Sequence, residues 1–231
     1  MCGRFTLTAG GPALADEFEL ADVPELAARY NIAPSQDVAV ILREPSCTTR
    51  VLRNMRWGLV PHWARDPAMG SRMINARAES AAEKPAYRTP FRQRRCLLPA
   101  TGFFEWKRIG AGKQPMLLRR RDGRLFAFAG LWDRWHPKEG EPMESCTILT
   151  TEPNDLVVDV HDRMPVILPP EAYEPWLDPD LQEPADLQSL LIPYDASEMI
   201  VHPVSPWVNA TAHDDPDCIE PVDPDIGGLF D

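Results

Sequence analysis

Short apolar runs separated by polar or proline-containing breaks recur along the whole chain. Runs of this kind, with alternating or continuous apolar positions, are typical of strands. Strands are predicted at 3–7, 38–43, 50–56, 96–106, 115–120, 124–132, 145–150, 165–168 and 199–204.

The breaks between the runs predict turns and helices. Asp122-Gly123 is a strong hairpin signal and is expected to join the strands before and after it. Segment 44–46 is expected to join strands 38–43 and 50–56 in the same way. Segment 75–84 is expected to be a loop that enters a helix. Prolines and acidic residues near the starts of several segments favour short helices at 12–20, 24–30, 153–160, 170–177 and 181–190.

Many short strands with a few short helices indicate an α+β fold. We expect a single domain with a curled, barrel-like, mostly antiparallel sheet flanked by short helices. The 231 residues suffice for one full core, and no long linker divides them. The domain is expected to span 1–221. An acidic and irregular tail is expected at 222–231, where Asp and Pro are frequent.

The composition excludes several classes of protein. The chain has no run of about 18 apolar residues, so no membrane span is expected. The start lacks a basic and then apolar signal segment, which predicts a cytoplasmic protein. The five cysteines, at 2, 47, 96, 146 and 218, form no CxxC pair and have no zinc-ligand spacing with His. No metal site and no cofactor are predicted.

The charge is distributed unevenly. The chain carries a net charge of −11, yet residues 43–134 hold 20 basic and 7 acidic residues, a net of +13. The remainder holds 4 basic and 28 acidic residues, a net of −24. A basic middle segment in an acidic chain suggests a face for a polyanion such as nucleic acid, although a solvated basic face would give the same count.

Cys2 has chemistry that an internal cysteine lacks. Because the residue after Met1 is small, the initiator methionine can be removed, and Cys2 then carries a thiol and a free α-amine. The ordinary pKa values are about 8.5 for the thiol and about 7.7–8.0 for the amine, so both are partly nucleophilic near neutral pH. Such a 1,2-aminothiol condenses with an aldehyde to give a five-membered thiazolidine. Cys2 could equally be an ordinary residue at the start of a first strand.

Several polar segments, here called polar islands, interrupt the apolar runs. Two of them suggest contacts with an anionic ligand. A loop at 57–63 holds two tryptophans and a histidine, which could pack in a core or offer platforms for unstacked bases. Asn75 and Arg77 lie at the predicted mouth of a helix, where anions are favoured.

Two further islands suggest proton transfer. Glu105 lies between Phe104 and Trp106, and an inward-facing carboxyl there would be desolvated, with a raised pKa. His161 comes after a predicted helix and before a buried strand, at an element end where histidines often do acid–base work. Taken singly, Glu105 fits an edge-strand carboxylate equally well, and His161 fits a capping or packed histidine.

Taken together, these islands resemble the SOS-response-associated peptidase-like family. The resemblance extends from Cys2 to about Pro221 and is specific, because several matching stretches are long and composed of chemically unlike residues. The matching stretches are MCGRF at 1–5, YNIAPSQ at 30–36, RWGLVPHW at 56–63, NARAES at 75–80, CLLPATGFFEW at 96–106, LTTEPN at 149–154, HDRMPVIL at 161–168 and the weaker VNATAHDDPDC at 208–218.

The resemblance implies roles for individual residues. Cys2 would be the crosslinking nucleophile, and Asn75 would orient its amine and the sugar. Glu105 would transfer protons and take part in strand cleavage by β-elimination. His161 would help to open the deoxyribose ring to its aldehyde. The residues implied in contacts with DNA are Arg4, Trp57, Trp63, Arg77, Thr150 and Arg163.

The resemblance also implies a function. Members of the family sense abasic sites in single-stranded DNA and crosslink to them. This chain would form a thiazolidine through Cys2 and so shield the site from cleavage in the DNA damage response. A lyase activity and an autoproteolytic or aminopeptidase-assisted removal of Met1 are also implied. We expect a monomer in the cytoplasm, associated with the nucleoid when bound to DNA, and no membrane partner.

Three other interpretations remain open at this point. An N-terminal cysteine revealed by processing is also how N-terminal-nucleophile hydrolases work, so the chain could be a cysteine peptidase acting on itself or on peptides. It could instead be a single-strand binding module in which Cys2 is incidental. A metal hydrolase fits least, because the His and Cys spacing is unsuitable.

Overall fold

The computed structural model describes residues 2–43 and 49–223. It contains thirteen labelled strands and five α-helices within this part of the chain. The strands are β1 (Phe5–Leu7), β2 (Arg29–Ile32), β3 (Asp37–Arg43), β4 (Arg50–Trp57), β5 (Asn75–Arg77), β6 (Arg95–Ala100), β7 (Gly102–Ile109), β8 (Gly112–Arg120), β9 (Phe126–Trp135), β10 (Met143–Thr151), β11 (Met164–Pro165), β12 (Ile167–Leu168) and β13 (Met199–Pro203). The helices are α1 (Gly11–Phe18), α2 (Ala78–Ala81), α3 (Arg88–Gln93), α4 (Tyr173–Leu177) and α5 (Pro184–Gln188).

Five strands close into a barrel. Their order is β10-β4-β3-β6-β9, and β9 pairs again with β10 to complete the ring. The β10–β4 pair is parallel, whereas the other pairs of the ring are antiparallel. Closure removes the free edges that an open sheet would expose, and the predicted α+β fold with a barrel-like sheet is confirmed.

A second, antiparallel sheet has the order β13-β8-β7-β1-β2. Aromatic side chains join it to the barrel: Phe5 of β1 lies edge-on to Trp57 and Phe128, with ring centroids 5.2 and 5.7 Å apart. Phe103 of β7 meets the same Phe128 at 6.0 Å. Edge-to-face contacts of this kind add to the free energy of apolar burial. They fix the N-terminal strand against the barrel.

Local patterns predicted most elements, but one predicted pairing differs from expectation. The turn at Asp122-Gly123 forms, and Gly123 has φ +72°, but it connects β8 in one sheet to β9 in the other. The hairpin partner of β8 is β7, joined through Gly110 with φ +57°. The predicted hairpin is therefore wrong, because the hydrophobic faces of β8 and β9 belong to different sheets.

Three other sequence predictions need correction. Segment 24–30 is not helical: its end becomes β2, which pairs with β1 and gains ladder hydrogen bonds that a short helix could not match. Segment 153–160 forms successive turns instead of a helix. The first residues of 75–84 form β5 rather than a loop, and α2 follows directly. The predicted turn at 44–46 lies outside the described residues, as does most of the predicted tail.

The 58–63 loop leaves the barrel through a glycine that no other residue could replace without strain. Gly58 has φ +130°, and a Cβ on it would lie 2.6 Å from the carbonyl oxygen of Gly70. The amide of Gly58 donates to the carbonyl oxygen of Cys146 at 2.8 Å, and the amide of Leu59 donates to that of Met73 at 3.1 Å. The loop is thereby tied to the chain that leads into β5.

No helix in residues 2–43 and 49–223 is both long and apolar enough to cross a membrane.

Candidate active site

The N-terminal segment extends β1 along β7. Phe5 pairs with Phe103, and the amide of Phe104 donates to the carbonyl oxygen of Arg4 at 3.0 Å. Continuing this antiparallel register places Glu105 opposite Gly3. The backbone alone therefore brings the residue after Met1 close to Glu105.

Cys2 is fully buried at the end of this segment. Its carbonyl oxygen accepts a hydrogen bond of 2.8 Å from Nδ2 of Asn75, and its Sγ donates weakly to the carbonyl oxygen of Arg4 at 3.8 Å. Burial raises the pKa of the Cys2 thiol far above its usual value, and the charge of Glu105 raises it further. The thiol is thus held protonated, and its ionisation requires a proton acceptor inside the site.

Glu105 is suited to exchange protons with its neighbours. Its side chain is only 3% exposed, and burial raises the pKa of its carboxyl, while the charge of His161 acts in the opposite direction. These mutual effects mean that Glu105 lies within electrostatic range of both Cys2 and His161. A raised pKa brings the titration of this carboxyl closer to neutral pH, as the sequence predicted for an inward-facing Glu105.

His161 follows the turns at 155–160, and its amide donates to the carbonyl oxygen of Val157 at 2.9 Å. Its Nδ1 accepts a hydrogen bond from the amide of Arg163 at 3.0 Å, which leaves the proton of the neutral ring on Nε2. A carboxylate oxygen of Asp162 lies 2.9 Å from the same Nδ1 and can accept the proton of the doubly protonated ring. Both contacts hold the ring through Nδ1.

Asn75 reaches Cys2 because β5 is held against strand β10 of the barrel. β5 runs parallel to β10, with Asn75 opposite Ile148. The indole of Trp57 supports the same segment by donating from Nε1 to the carbonyl oxygen of Ile74 at 2.9 Å. Trp57 itself is fully buried, and its indole fills the junction between the barrel and β1. Its predicted contact with DNA stays a prediction.

Thr150 is also buried, and its predicted contact with DNA stays a prediction. Its Oγ1 donates to the carbonyl oxygen of Ala76 at 3.4 Å, and its own carbonyl oxygen accepts from the guanidinium of Arg163. That guanidinium also pairs with both carboxylate oxygens of Glu79, at 2.7 and 2.9 Å, and the pairing lowers the pKa of Glu79. Thr150 thus anchors Arg163 beside His161.

Two of the residues predicted to contact DNA are accessible. Trp63 is 48% exposed at the end of the 58–63 loop, and Arg77 is exposed at the end of β5, two residues after Asn75. Their contacts with DNA, like that of the ion-paired Arg163, stay predictions.

The described residues contain no group of three or more His, Cys, Asp and Glu side chains that could hold a metal ion. Cys2, Cys96, Cys146 and Cys218 are all free thiols.

The sequence of this chain is similar to those of known proteins. The sequence model of the family described as SOS response associated peptidase (SRAP) matches residues 1–211. The chain belongs to the SRAP family. The Bacillus subtilis (strain 168) protein named abasic site processing protein YoqW is 46% identical to it over 224 residues, covering 95% of this chain and 99% of that protein. The Gallus gallus protein named abasic site processing protein HMCES is 34% identical over 224 residues, covering 84% of this chain and 66% of that protein.

A solved structure shows that the fold is also similar to that of a known protein. The crystal structure of a protein from Bacteroides thetaiotaomicron superposes with a TM-score of 0.86 at 30% identity, covering 96% of this chain and all of that one. The resemblance to the family that the motifs indicated is confirmed.

Sequence reasoning missed one buried polar residue that organises this SRAP site. Asn31 accepts from Arg4 at 2.7 Å through Oδ1, and through Nδ2 it donates to the carbonyl oxygens of Val208, Ala210 and His213. The signal lay in the YNIAPSQ stretch, where a polar residue precedes Ile32 within a strand. Asn31 ties segment 208–213 to Arg4, whose carbonyl oxygen accepts from Sγ of Cys2.

Arg4 is committed to the same network. Its guanidinium donates to the carbonyl oxygens of Val208 and Asn209 at 2.8 and 3.1 Å and lies 5.9 Å from the ring centroid of Trp106. Burial lowers the pKa of Arg4. These contacts give Arg4 a structural function in the protein alone, whereas its predicted contact with a DNA phosphate stays a prediction.

The raised pKa of Glu105 predicts how stability depends on pH. Because the folded state binds the Glu105 proton more tightly than the unfolded state, this residue lowers the free energy of unfolding as pH rises above the unfolded pKa of about 4.3. At pH 8 the melting temperature of Glu105→Gln should therefore exceed that of wild type, by about 2–4 °C for each kcal/mol of removed cost of burying the charged carboxylate. At pH 4 the two melting temperatures should be about equal. Calorimetric scans at both pH values measure the difference.

The matched control is Glu25→Gln, which alters an exposed carboxylate and should leave the melting temperature unchanged at both pH values. An equal or lower melting temperature for Glu105→Gln at pH 8 would contradict the proposed desolvation of Glu105.

Proposed function

We propose that the protein recognises abasic sites in single-stranded DNA and forms a covalent thiazolidine crosslink through Cys2, with Met1 removed. One observation carries the proposal: the backbone of Cys2 is held by Asn75 at 2.8 Å, within electrostatic range of the buried Glu105, which in turn interacts with His161. The printed names of relatives in Bacillus subtilis and Gallus gallus, both abasic site processing proteins, support the choice of substrate.

The chemistry begins on the sugar. An abasic deoxyribose is a cyclic hemiacetal in equilibrium with a small amount of open aldehyde. His161 protonates the ring oxygen as the C1′–O4′ bond breaks, and the 1′-hydroxyl gives up its proton to form the carbonyl. The contacts at Nδ1 hold the imidazole in place for this exchange.

The Cys2 amine then attacks C1′. The resulting carbinolamine loses water to form an imine, and the Cys2 sulfur adds to the imine carbon while the thiol proton passes to the nitrogen. The balance is one aldehyde and one aminothiol giving one thiazolidine and one water. Glu105 carries the protons between these groups, which a thiol of raised pKa requires.

Ring closure protects the strand. The imine makes the neighbouring C2′ proton acidic, so loss of the 3′ phosphate by β-elimination can follow when the sulfur does not add. A slow lyase side reaction, with Glu105 as the base, is therefore part of the proposal. Capture by sulfur removes the imine and with it the acidity at C2′.

The DNA contacts favour a single strand. The exposed Trp63 offers a face for an unstacked base, and the exposed Arg77 offers a guanidinium to a phosphate near Asn75. The affinity for DNA should fall steeply as the salt concentration rises, because each phosphate contact releases counterions from the DNA into the solution. We place this activity in the cytoplasm, on DNA of the nucleoid, and propose that a monomer performs it.

The variant Cys2→Ser tests the crosslink directly. It keeps the N-terminal amine but replaces the thiol with a hydroxyl, so we expect no stable crosslink and only an imine that borohydride can trap. The assay incubates each protein with abasic single-stranded DNA and resolves it on a denaturing gel. Cys96→Ser, which changes a buried thiol in β6 of the barrel, is the control and should crosslink like wild type.

The thiazolidine is excluded if Cys2→Ser crosslinks as durably as wild type without reductant. A parallel incubation with peptides tests the peptidase alternative: turnover of peptides without any DNA adduct would replace the proposed function by that one.

The variant His161→Ala tests the acid–base role. Loss of a general acid typically slows a reaction by about 100-fold or more, so crosslinking at saturating DNA should slow by that order. Free imidazole in the buffer should restore part of the rate. DNA affinity, compared between Cys2→Ser and Cys2→Ser/His161→Ala by fluorescence anisotropy, should be unchanged.

A large loss of affinity with an unchanged rate at saturating DNA would instead assign His161 to a phosphate contact.

A further inference from the structure

The segment between the 58–63 loop and β5 contains two arginines that the site around Cys2 does not use. They lie in the basic middle segment of the sequence and line an open pocket of about 540 Å³, here called the 63–72 pocket. The residues that line it are Trp63, Arg65, Asp66, Ala68, Met69 and Arg72. The lining thus combines an exposed indole and a thioether with two guanidinium groups.

The positive charge of this pocket is not neutralised by the protein. Arg65 and Arg72 are both exposed, and neither guanidinium forms an ion pair or a side-chain hydrogen bond in the described part of the chain. Asp66, the acidic residue of the lining, accepts the amide of Ala68 at 2.8 Å through Oδ1. Two unpaired guanidinium groups beside one carboxylate leave an excess of positive charge, and their planar donors match the oxygens of phosphate.

The local backbone fixes the shape of the pocket. Its floor is a 3₁₀-helix, Pro67–Arg72. Before this helix, the carbonyl oxygen of Ala64 accepts from Nε1 of Trp135 in β9 at 2.7 Å. After it, the amide of Met73 donates to the carbonyl oxygen of Gly70 at 2.8 Å. Because both ends of the segment are held, a ligand would find its binding groups already in place.

The pocket lies beside the candidate active site. Arg72 precedes Asn75 by three residues, so their Cα atoms are at most about 11 Å apart. Asn75 in turn donates to the carbonyl oxygen of Cys2 at 2.8 Å. When an abasic sugar lies at Cys2, the adjoining nucleotide of the same DNA strand is therefore close to the pocket.

We propose that the 63–72 pocket binds the nucleotide next to the abasic site, with its base on the indole of Trp63 and its flanking phosphates on Arg65 and Arg72. The choice of DNA rests on the proposed function, whereas the match to a base and to phosphate rests on the lining. Every base has a π-face, so stacking on an indole tolerates any base. The pocket therefore requires a neighbouring base without reading its identity.

The test of the stacking contact pairs a change in the protein with a change in the DNA. The oligonucleotides are single-stranded and carry a central tetrahydrofuran, an abasic analogue that has no aldehyde and cannot crosslink. Trp63→Ala should lower the affinity for such an oligonucleotide by about tenfold, the order that one stacked base contributes. The loss should disappear when the base on one side of the tetrahydrofuran is also removed, and Trp63→Phe should retain most of the affinity. Fluorescence anisotropy measures each affinity.

The variant Arg65→Gln/Arg72→Gln tests the phosphate contacts. The dependence of log K on log salt concentration should become shallower by about 1.4, since each contact to a single strand contributes about 0.7. Arg119→Gln/Arg124→Gln removes the same charge from exposed positions outside the pocket and should leave this dependence unchanged. Asp66→Asn keeps a side chain that can cap the helix but removes its negative charge. It should strengthen binding, a gain that misfolding cannot produce.

The proposal is overturned if Trp63→Ala loses the same affinity whether or not the neighbouring bases are present. An unchanged salt dependence of the Arg65→Gln/Arg72→Gln variant would overturn it as well. Both results leave the proposed function intact as long as wild type crosslinks an oligonucleotide with a natural abasic site. If wild type forms no crosslink but the variants bind as predicted, the chemistry at Cys2 fails and the pocket stands.

Discussion

The hydrogen bond from the amide of Phe104 to the carbonyl oxygen of Arg4 sets the geometry on which the site depends. It continues the pairing of β1 with β7 as far as Arg4, and the same register places Glu105 opposite Gly3. Chain ends are usually poorly ordered unless something ties them down. Here a backbone hydrogen bond, the Asn75 amide and the core contacts of Phe5 together hold the segment that contains Cys2.

This anchoring also explains why distant parts of the chain serve one small site. β5 brings Asn75 from the barrel, β7 brings Glu105 from the second sheet, and the turns after β10 bring His161. Asn31 and Arg4 then join the segment near 208–213 to the N-terminal residues. Buried polar networks of this kind are stable only when their members are satisfied, and Asn31 has four partners.

The sequence predicted the local features well and their tertiary partners less well. Strands β3, β4 and β10 follow from their apolar periodicity, and the chemical motifs identified Cys2, Asn75, Glu105 and His161, which the structure brings together. The hairpin at Asp122-Gly123 failed because a turn sequence specifies a change of direction and not the sheet that receives the next strand. The burial of Trp57 and Thr150 could not be predicted, because a motif does not reveal which side chains point inward. Asn31 was missed because its partners lie about 180 residues away.

The central claim is that the amine and the sulfur of Cys2 react together with one sugar carbonyl. Intact mass spectrometry of the purified protein before and after incubation with abasic single-stranded DNA tests it most directly. The account predicts a protein that lacks Met1 and an adduct equal to the sum of protein and oligonucleotide less one water, stable without reductant. Crosslinking by protein that retains Met1, or an adduct in the Cys2→Ser variant of equal stability, would contradict it.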